Sequence, residues 1–220
     1  MKTACDRCGT CCRQGGPALH GEDRKLVLSG RLKFEDLITV RRGELAVEPL
    51  AVKPTPVKQE FLKIQGRGAD WCCTLYDEES SLCTIYEDRP LACELLECWN
   101  PDAVLAITGQ DLLTRFDCIG EEDPLLPVIR FHEEQCSCPD MHEIEEQLEG
   151  GGLGQNRLAE LTAVVNMDLA IRERAIHDFG LSVPLELFYF GRPLFHLLAP
   201  LGIRCRESRE KGLVLEYGRK

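Results

Sequence analysis

The chain has no uninterrupted run of the roughly 18 to 20 apolar residues that a membrane span requires. Its most apolar stretch, LSVPLELFYFGRPLFHLLAPLG, is broken by three prolines and carries Glu186, Arg192 and His196. That excludes a membrane-spanning helix. Basic runs are missing as well: 26 Lys and Arg stand against 37 Asp and Glu, a net charge of −11. A cationic face for a nucleic-acid backbone is therefore not expected. No apolar segment follows Met1-Lys2-Thr3-Ala4, so no secretory leader is expected and the reading is cytoplasmic. There is no G-x-S-x-G element and no H-E-x-x-H. The GGGLGQN stretch is preceded by an acidic helical pattern and followed by no Gly-Lys-Ser/Thr, so it reads as a linker and not as a phosphate loop. Internal repeats are also lacking.

Cysteine is what the chain has in excess. Thirteen residues fall at 5, 8, 11 and 12, at 72, 73, 83, 93 and 98, then at 118, 136 and 138, with one outlier at 205. A reducing compartment does not favour structural disulfides, and an odd count fits complete internal bridging poorly. Dense cysteine there points to metal or redox chemistry.

The opening CDRCGTCC contains C-x-x-C-x-x-C spacing at Cys5, Cys8 and Cys11. Such a loop turns three sulfurs and several backbone amides toward one centre, a pattern typical of iron–sulfur ligation. Zinc more often takes two C-x-x-C knuckles. Gly9 supplies the backbone freedom that a tight loop needs. The adjacent pair Cys11-Cys12, read as extended chain, sends its two thiols to opposite sides. Cys72-Cys73, in a presumed strand, does the same. Two such pairs suggest two neighbouring metal positions in one sulfur-rich pocket. Cys93 sits in the first helical turn after Pro90, where the helix dipole favours the thiolate. Arg89 either donates to cluster sulfurs or pairs with Glu87 or Glu94 at the surface.

Two stretches, CDRCGTCC and CTLYDEESSLCTIYEDRPLAC, together resemble the YkgJ-type cysteine-cluster family, described as zinc- or iron-chelating. Its pattern falls on Cys5, Cys8, Cys11, Cys12, Cys73, Cys83, Ile85, Tyr86, Arg89, Pro90 and Cys93, and covers roughly residues 1 to 100. The resemblance implies metal binding and assigns no reaction. Cys72, Cys98, Cys118, Cys136 and Cys138 are additions to the pattern, leaving the number of metals open. The expected metal ligands are Cys5, Cys8, Cys11, Cys12, Cys73, Cys83 and Cys93, joined by Cys72 and Cys98, with Arg89 and Tyr86 supporting them. Cys136 and Cys138, near His132 and His142, read equally as ligands or as an ordinary loop. Cys118 and Cys205 read as small buried hydrophobes. Trp71 and Trp99 read as core residues or as shields of a metal pocket.

The expected architecture is α+β. Residues 1–149 form a small, irregular, metal-stabilised cysteine-rich domain with short strands, and residues 155–220 a mainly helical region. The glycine-rich Glu149–Gly154 joins them. WCCTLY and LCTIY read as paired strands around a DEESS turn. VEPLAVKPTPVK reads as a proline-rich connector, and PDAVLAITGQDLLTRF as one helix. Residues 156–180 place Leu158, Leu161, Val165, Leu169 and Ile176 on a helical stripe that stops at Gly180. The tail IRCRESREKGLVLEY reads as a hairpin. The functional expectation is a cytoplasmic protein holding an iron–sulfur cluster or iron in a redox or cluster-dependent role. The alternatives are a structural zinc module serving a protein partner, and a methyltransferase-related protein. The last lacks a glycine-rich strand-to-helix loop for a methyl donor. Whether the chain is an enzyme is left open.

Overall fold

The structure is a computed structural model that describes residues 5–47, 51–208 and 212–218. In chain order it opens with helices α1 (Thr10–Arg13) and α2 (Arg24–Leu28). Eight short strands follow: β1 (Leu37–Val40), β2 (Leu45–Ala46), β3 (Thr55–Pro56), β4 (Phe61–Ile64), β5 (Gly66–Arg67), β6 (Cys72–Cys73), β7 (Tyr76–Asp77) and β8 (Leu82–Cys83). Next are α3 (Leu91–Leu95), α4 (Asp102–Ile107), α5 (Leu126–Gln135), α6 (Met141–Glu149), α7 (Gln155–Phe179), α8 (Val183–Phe190) and α9 (Leu194–Leu198). The last elements are β9 (Ile203–Ser208) and β10 (Gly212–Tyr217). Among the described residues the strands make two-stranded sheets: β1 with β4, β2 with β3, β5 with β6, β7 with β8 and β9 with β10. This is the expected α+β class, with short strands in small sheets followed by a mainly helical part. Among the described residues no helix is long and apolar enough to cross a membrane.

The chain packs as two compact units. The first comprises Met1–Thr39 and Phe61–Gly120, the second Val40–Glu60 and Glu121–Lys220. The glycine-rich Glu149–Gly154 lies inside the second unit, between α6 and α7.

In the first unit three backbone bonds close a small ring. Leu19 donates to Leu62, Leu62 to Leu113 and Leu113 to Leu19, at 2.7–2.9 Å. All three side chains are buried, together with Leu26, Leu32, Leu37 and Ile64. Distant segments are thus tied by main-chain bonds where no long helix exists to do it. The DEESS turn joins β7 to β8 as the sequence predicts, with Tyr76 opposite Cys83 and Asp77 opposite Leu82. Cys72-Cys73 pairs instead with β5, Gly66 opposite Cys73 and Arg67 opposite Cys72. The helix predicted from Pro101 ends after Ile107, and only a short 3₁₀ turn, Arg115–Asp117, follows.

The second unit has an ordinary apolar core of Met141, Ile144, Leu161, Val165, Leu194, Leu197, Leu198, Ile203 and Leu215. Its long helix α7 stops at Gly180 (φ 65°), as read from the sequence. The break between α8 and α9 at Gly191–Pro193 and the β9–β10 hairpin also appear as read. Residues 209–211 of that hairpin and 48–50 of the proline-rich connector lie outside the described residues. The buried face of α7 is Leu161, Val165, Asp168, Arg172 and Ala175. It differs from the predicted stripe because two charged residues sit on it, and Ile176 is 37% exposed.

Candidate metal centre

The residue 5–12 loop does not run extended into the fold. Thr10–Arg13 form one helical turn, α1, entered through Gly9 at φ 73°. A Cβ at Gly9 would lie 2.1 Å from the Tyr76 hydroxyl, so the position is closed to side chains on two counts. Arg13 fixes the turn by donating to the Cys8 carbonyl (3.1 Å) and to the Tyr76 hydroxyl (3.3 Å). Upstream, the Arg7 amide donates to Cys5 Sγ at 3.4 Å. Arg7 lies 4.4 Å from the centre of the Tyr86 ring. The N-terminal thiol loop is thereby pinned to the strands and to the segment that leads into α3.

The same helical turn corrects the expectation for Cys11-Cys12. On a strand these thiols would part, but on α1 their sulfurs are 4.0 Å apart. Tetrahedral coordination with bonds of about 2.3 Å spaces two sulfurs about 3.8 Å apart, so this pair suits one metal. Cys72-Cys73 is extended and behaves as expected. Cys73 faces the other thiols, whereas Cys72 is buried against Glu78 and Arg67.

The thiols gather. Cys12 lies in the field of Cys11, Cys73 and Cys83. Cys93 lies in that of Cys73, Cys11, Cys12 and Cys83. Cys11 senses Cys98 and Cys5. Burial first, then these neighbouring sulfurs, raise the Cys12 thiol to about 12 and push Cys93 up as well. A set of half-buried groups that resist ionising because they crowd one another is a donor set that a cation relieves. Soft thiolates suit zinc, iron or an iron–sulfur cluster. Among the described residues no group of three His, Cys, Asp or Glu side chains is close enough together to hold a metal ion.

Two predicted ligands are set apart by exposure. Cys8 is exposed and in contact with Thr10 Oγ1 at 3.3 Å, and Cys98 is exposed too. Arg89 does not take the surface pairs considered above. Its guanidinium stacks 4.0 Å from the Tyr86 ring centre, and its Nε is buried without a hydrogen-bond partner. That orphaned donor suits a support for sulfur. Trp71 and Trp99 are 40% and 39% exposed, so neither is a core residue, and the exposed Cys205 is not the buried hydrophobe expected. Cys118 is buried as read.

One positioning residue was not anticipated. Asp23 is 2% exposed and accepts from the His20 amide and from the Leu91 amide, both at 2.8 Å. Leu91 begins α3, so a single carboxylate holds the helix that carries Cys93. The HGED stretch contains the signal, a capping box at His20 and Asp23, but the partner 68 residues away has no local sign.

Cys136 and Cys138 belong to the second unit. Cys136 is fully buried in the apolar core and its thiol is raised to about 11, chiefly by that burial. His132 is also fully buried, with Nε2 2.6 Å from Asp168, while His142 is exposed beside Glu146.

No curated protein and no solved structure matches the chain. A family model, described as "Putative zinc- or iron-chelating domain", matches residues 4–110. It spans all the thiols gathered above. Residues 4–110 thus match the CxxCxxCC family model, and that match supports binding of zinc or iron without deciding between them.

Proposed function

We propose that this domain holds iron as an iron–sulfur cluster through Cys5, Cys11, Cys12, Cys73, Cys83 and Cys93, in a redox or cluster-dependent role in the cytoplasm. Cys8 and Cys98 are the outer members of the set. Cys72 is left out of it, being engaged with Glu78. The observation that carries this reading is the thiol number: Cys93 alone shares its field with four others. That exceeds what one tetrahedral zinc uses. A cluster bound there would supply electron transfer. The chain's own part is to exclude water by burial, to direct the Arg7 amide at Cys5, and to set the charge of Arg89 beside the ligands. The 4.0 Å Cys11–Cys12 sulfur separation favours a second reading, zinc in a structural role.

The test is to purify the full chain without oxygen and measure metal and acid-labile sulfide per chain. Iron with sulfide and a brown colour supports the cluster. Stoichiometric zinc in a colourless protein overturns it in favour of the second reading, and a metal-free chain with all thiols reduced overturns both. Cys12→Ser and Cys93→Ser should each remove most of the metal, whereas Cys205→Ser should remove none.

A further inference from the structure

The second unit carries a groove unrelated to the thiols. It has a cavity volume of about 510 Å³ and is lined by Glu121, Glu122, Leu126, Pro127, Phe131 and Glu134 among others. Helix α5 supplies its floor. Pro127, Arg130, Phe131 and Glu134 follow i, i+3, i+4, i+7 spacing and so share one helix face. Ile129 and His132 lie on the buried face. Phe131 is a large apolar residue left 50% exposed on that outward face.

The rim is acidic and unneutralised. Glu121, Glu122 and Glu134 make no ion pair among the described residues. Elsewhere in the same unit some surface acids are matched, Glu143 and Glu160 with Arg157, Asp178 with Arg174, Glu216 with Arg206. Glu145, Glu149 and Glu173 stand singly on helix faces; what marks the groove is that its acids converge on one apolar floor. Asp123, inside the groove, is committed to the Leu125 amide and the Tyr189 hydroxyl. Arg130 is the one cation in the lining, against four carboxylates.

We infer that this groove docks a basic peptide segment of a protein partner, an apolar side chain resting on Phe131 and Pro127 and flanking Arg or Lys residues meeting Glu121, Glu122 and Glu134. Charge complementarity names the occupant. An apolar floor with an unmatched acidic rim suits a chain that alternates cations with apolar anchors, and repels an acidic one. The chain's net charge of −11 adds long-range attraction but no address. The groove supplies the address.

Fluorescence anisotropy on the full-length, metal-loaded protein tests this with a labelled nonapeptide of alternating arginine and leucine. Expected is saturable binding, about tenfold weaker for Glu121→Lys/Glu134→Lys and also weakened by Phe131→Ser. The control Glu143→Lys/Glu160→Lys adds the same positive charge outside the groove and should bind as the parent does. All substituted positions are exposed, and a far-ultraviolet spectrum and melting curve check that each variant folds. Should the double lysine variant fail to fold, Glu134→Gln and Phe131→Ser are read separately. Equal loss in groove and control variants would mean general attraction to an acidic protein and overturn the proposal. Undiminished binding of a peptide with serine in place of leucine would overturn it too, since the apolar floor would then be idle.

Discussion

The two units bury polar and reactive groups for opposite ends. In the first, sulfurs from distant points of the chain are brought together and raise one another's resistance to ionising. In the second, buried charges arrive already matched. Asp168, fully buried, accepts from His132 (2.6 Å), from Arg172 Nε (2.8 Å) and from the Leu194 amide (3.0 Å). Arg172 spends its other donors on Glu186 and on the carbonyls of Phe190, Gly191 and Arg192. Arg41, also buried, binds Glu133 and the Cys136 carbonyl. One unit leaves its balance to an ion from outside. The other contains it.

Withdrawing the metal should separate the units most strongly, since structural metal binding contributes on the order of 10 kcal/mol. A chelator should make residues 61–120 sensitive to protease while α7 stays protected, as read by mass spectrometry of the fragments. Loss of protection throughout would erase the contrast. Asp168→Ala should act in the other direction. It strands Arg172 and His132 without their shared acceptor, which costs about 3–5 kcal/mol. The melting temperature should fall while metal per folded chain holds.

Acid should sharpen the difference. Buried His132 is held below its ordinary value, chiefly by burial. As pH falls below about 6.5 the unfolded chain takes a proton that the folded chain refuses, and stability declines. Asp168 is held down to about 2: burial alone would raise it, and the His132 hydrogen bond and the Arg172 charge more than offset that. Its contribution, on the order of 2 kcal/mol, is complete above the unfolded value of about 3.9 and is lost as pH falls toward 2. Denaturant titrations followed by tryptophan-independent circular dichroism should show two steps of decline in acid. A flat profile from pH 7 to pH 4 would contradict the buried His132. The smallest effect is local. Gly9→Ala must strain a left-handed backbone and meet Tyr76, whereas Gly30→Ala strains the same backbone with nothing within 4 Å. Gly30→Ala should cost about 1 kcal/mol and leave metal content alone. Gly9→Ala should cost more and lower metal content.

What was legible in the sequence was local or periodic. The β7–β8 hairpin, the Gly180 stop of α7 and the interruption at Gly191–Pro193 each follow from a turn residue beside an apolar pattern. Helix α5 is no part of the sequence expectations, and its stretch carries Pro124 and Pro127. Pro127 in fact sits in the first turn, where its missing N–H is no loss. The predicted α7 stripe runs through Leu169 and Ile176 and leaves out Asp168 and Arg172, because charged residues on a helix ordinarily lie on its polar face. Their i, i+4 spacing in register with Leu161 and Val165 was the available sign. Asp23 and Arg41 left no such sign, since their partners lie 68 and 92 residues away. For the thiols, the C-x-x-C-x-x-C spacing pointed to the N-terminal loop and the family pattern to Cys73, Cys83 and Cys93, but neither carried the local backbone. An adjacent cysteine pair looks the same in one-letter code whether it sits on a helix or a strand.

That ambiguity would be visible to an alkylating reagent. On the metal-free chain, iodoacetamide should modify exposed Cys8, Cys98 and Cys205 first and the half-buried Cys11 and Cys12 of the helical turn next. Cys72 and Cys73, buried in their strand, should react last. Two dipeptides of identical composition would thus be told apart by the clock, the order of labelling tracing the local course of the main chain.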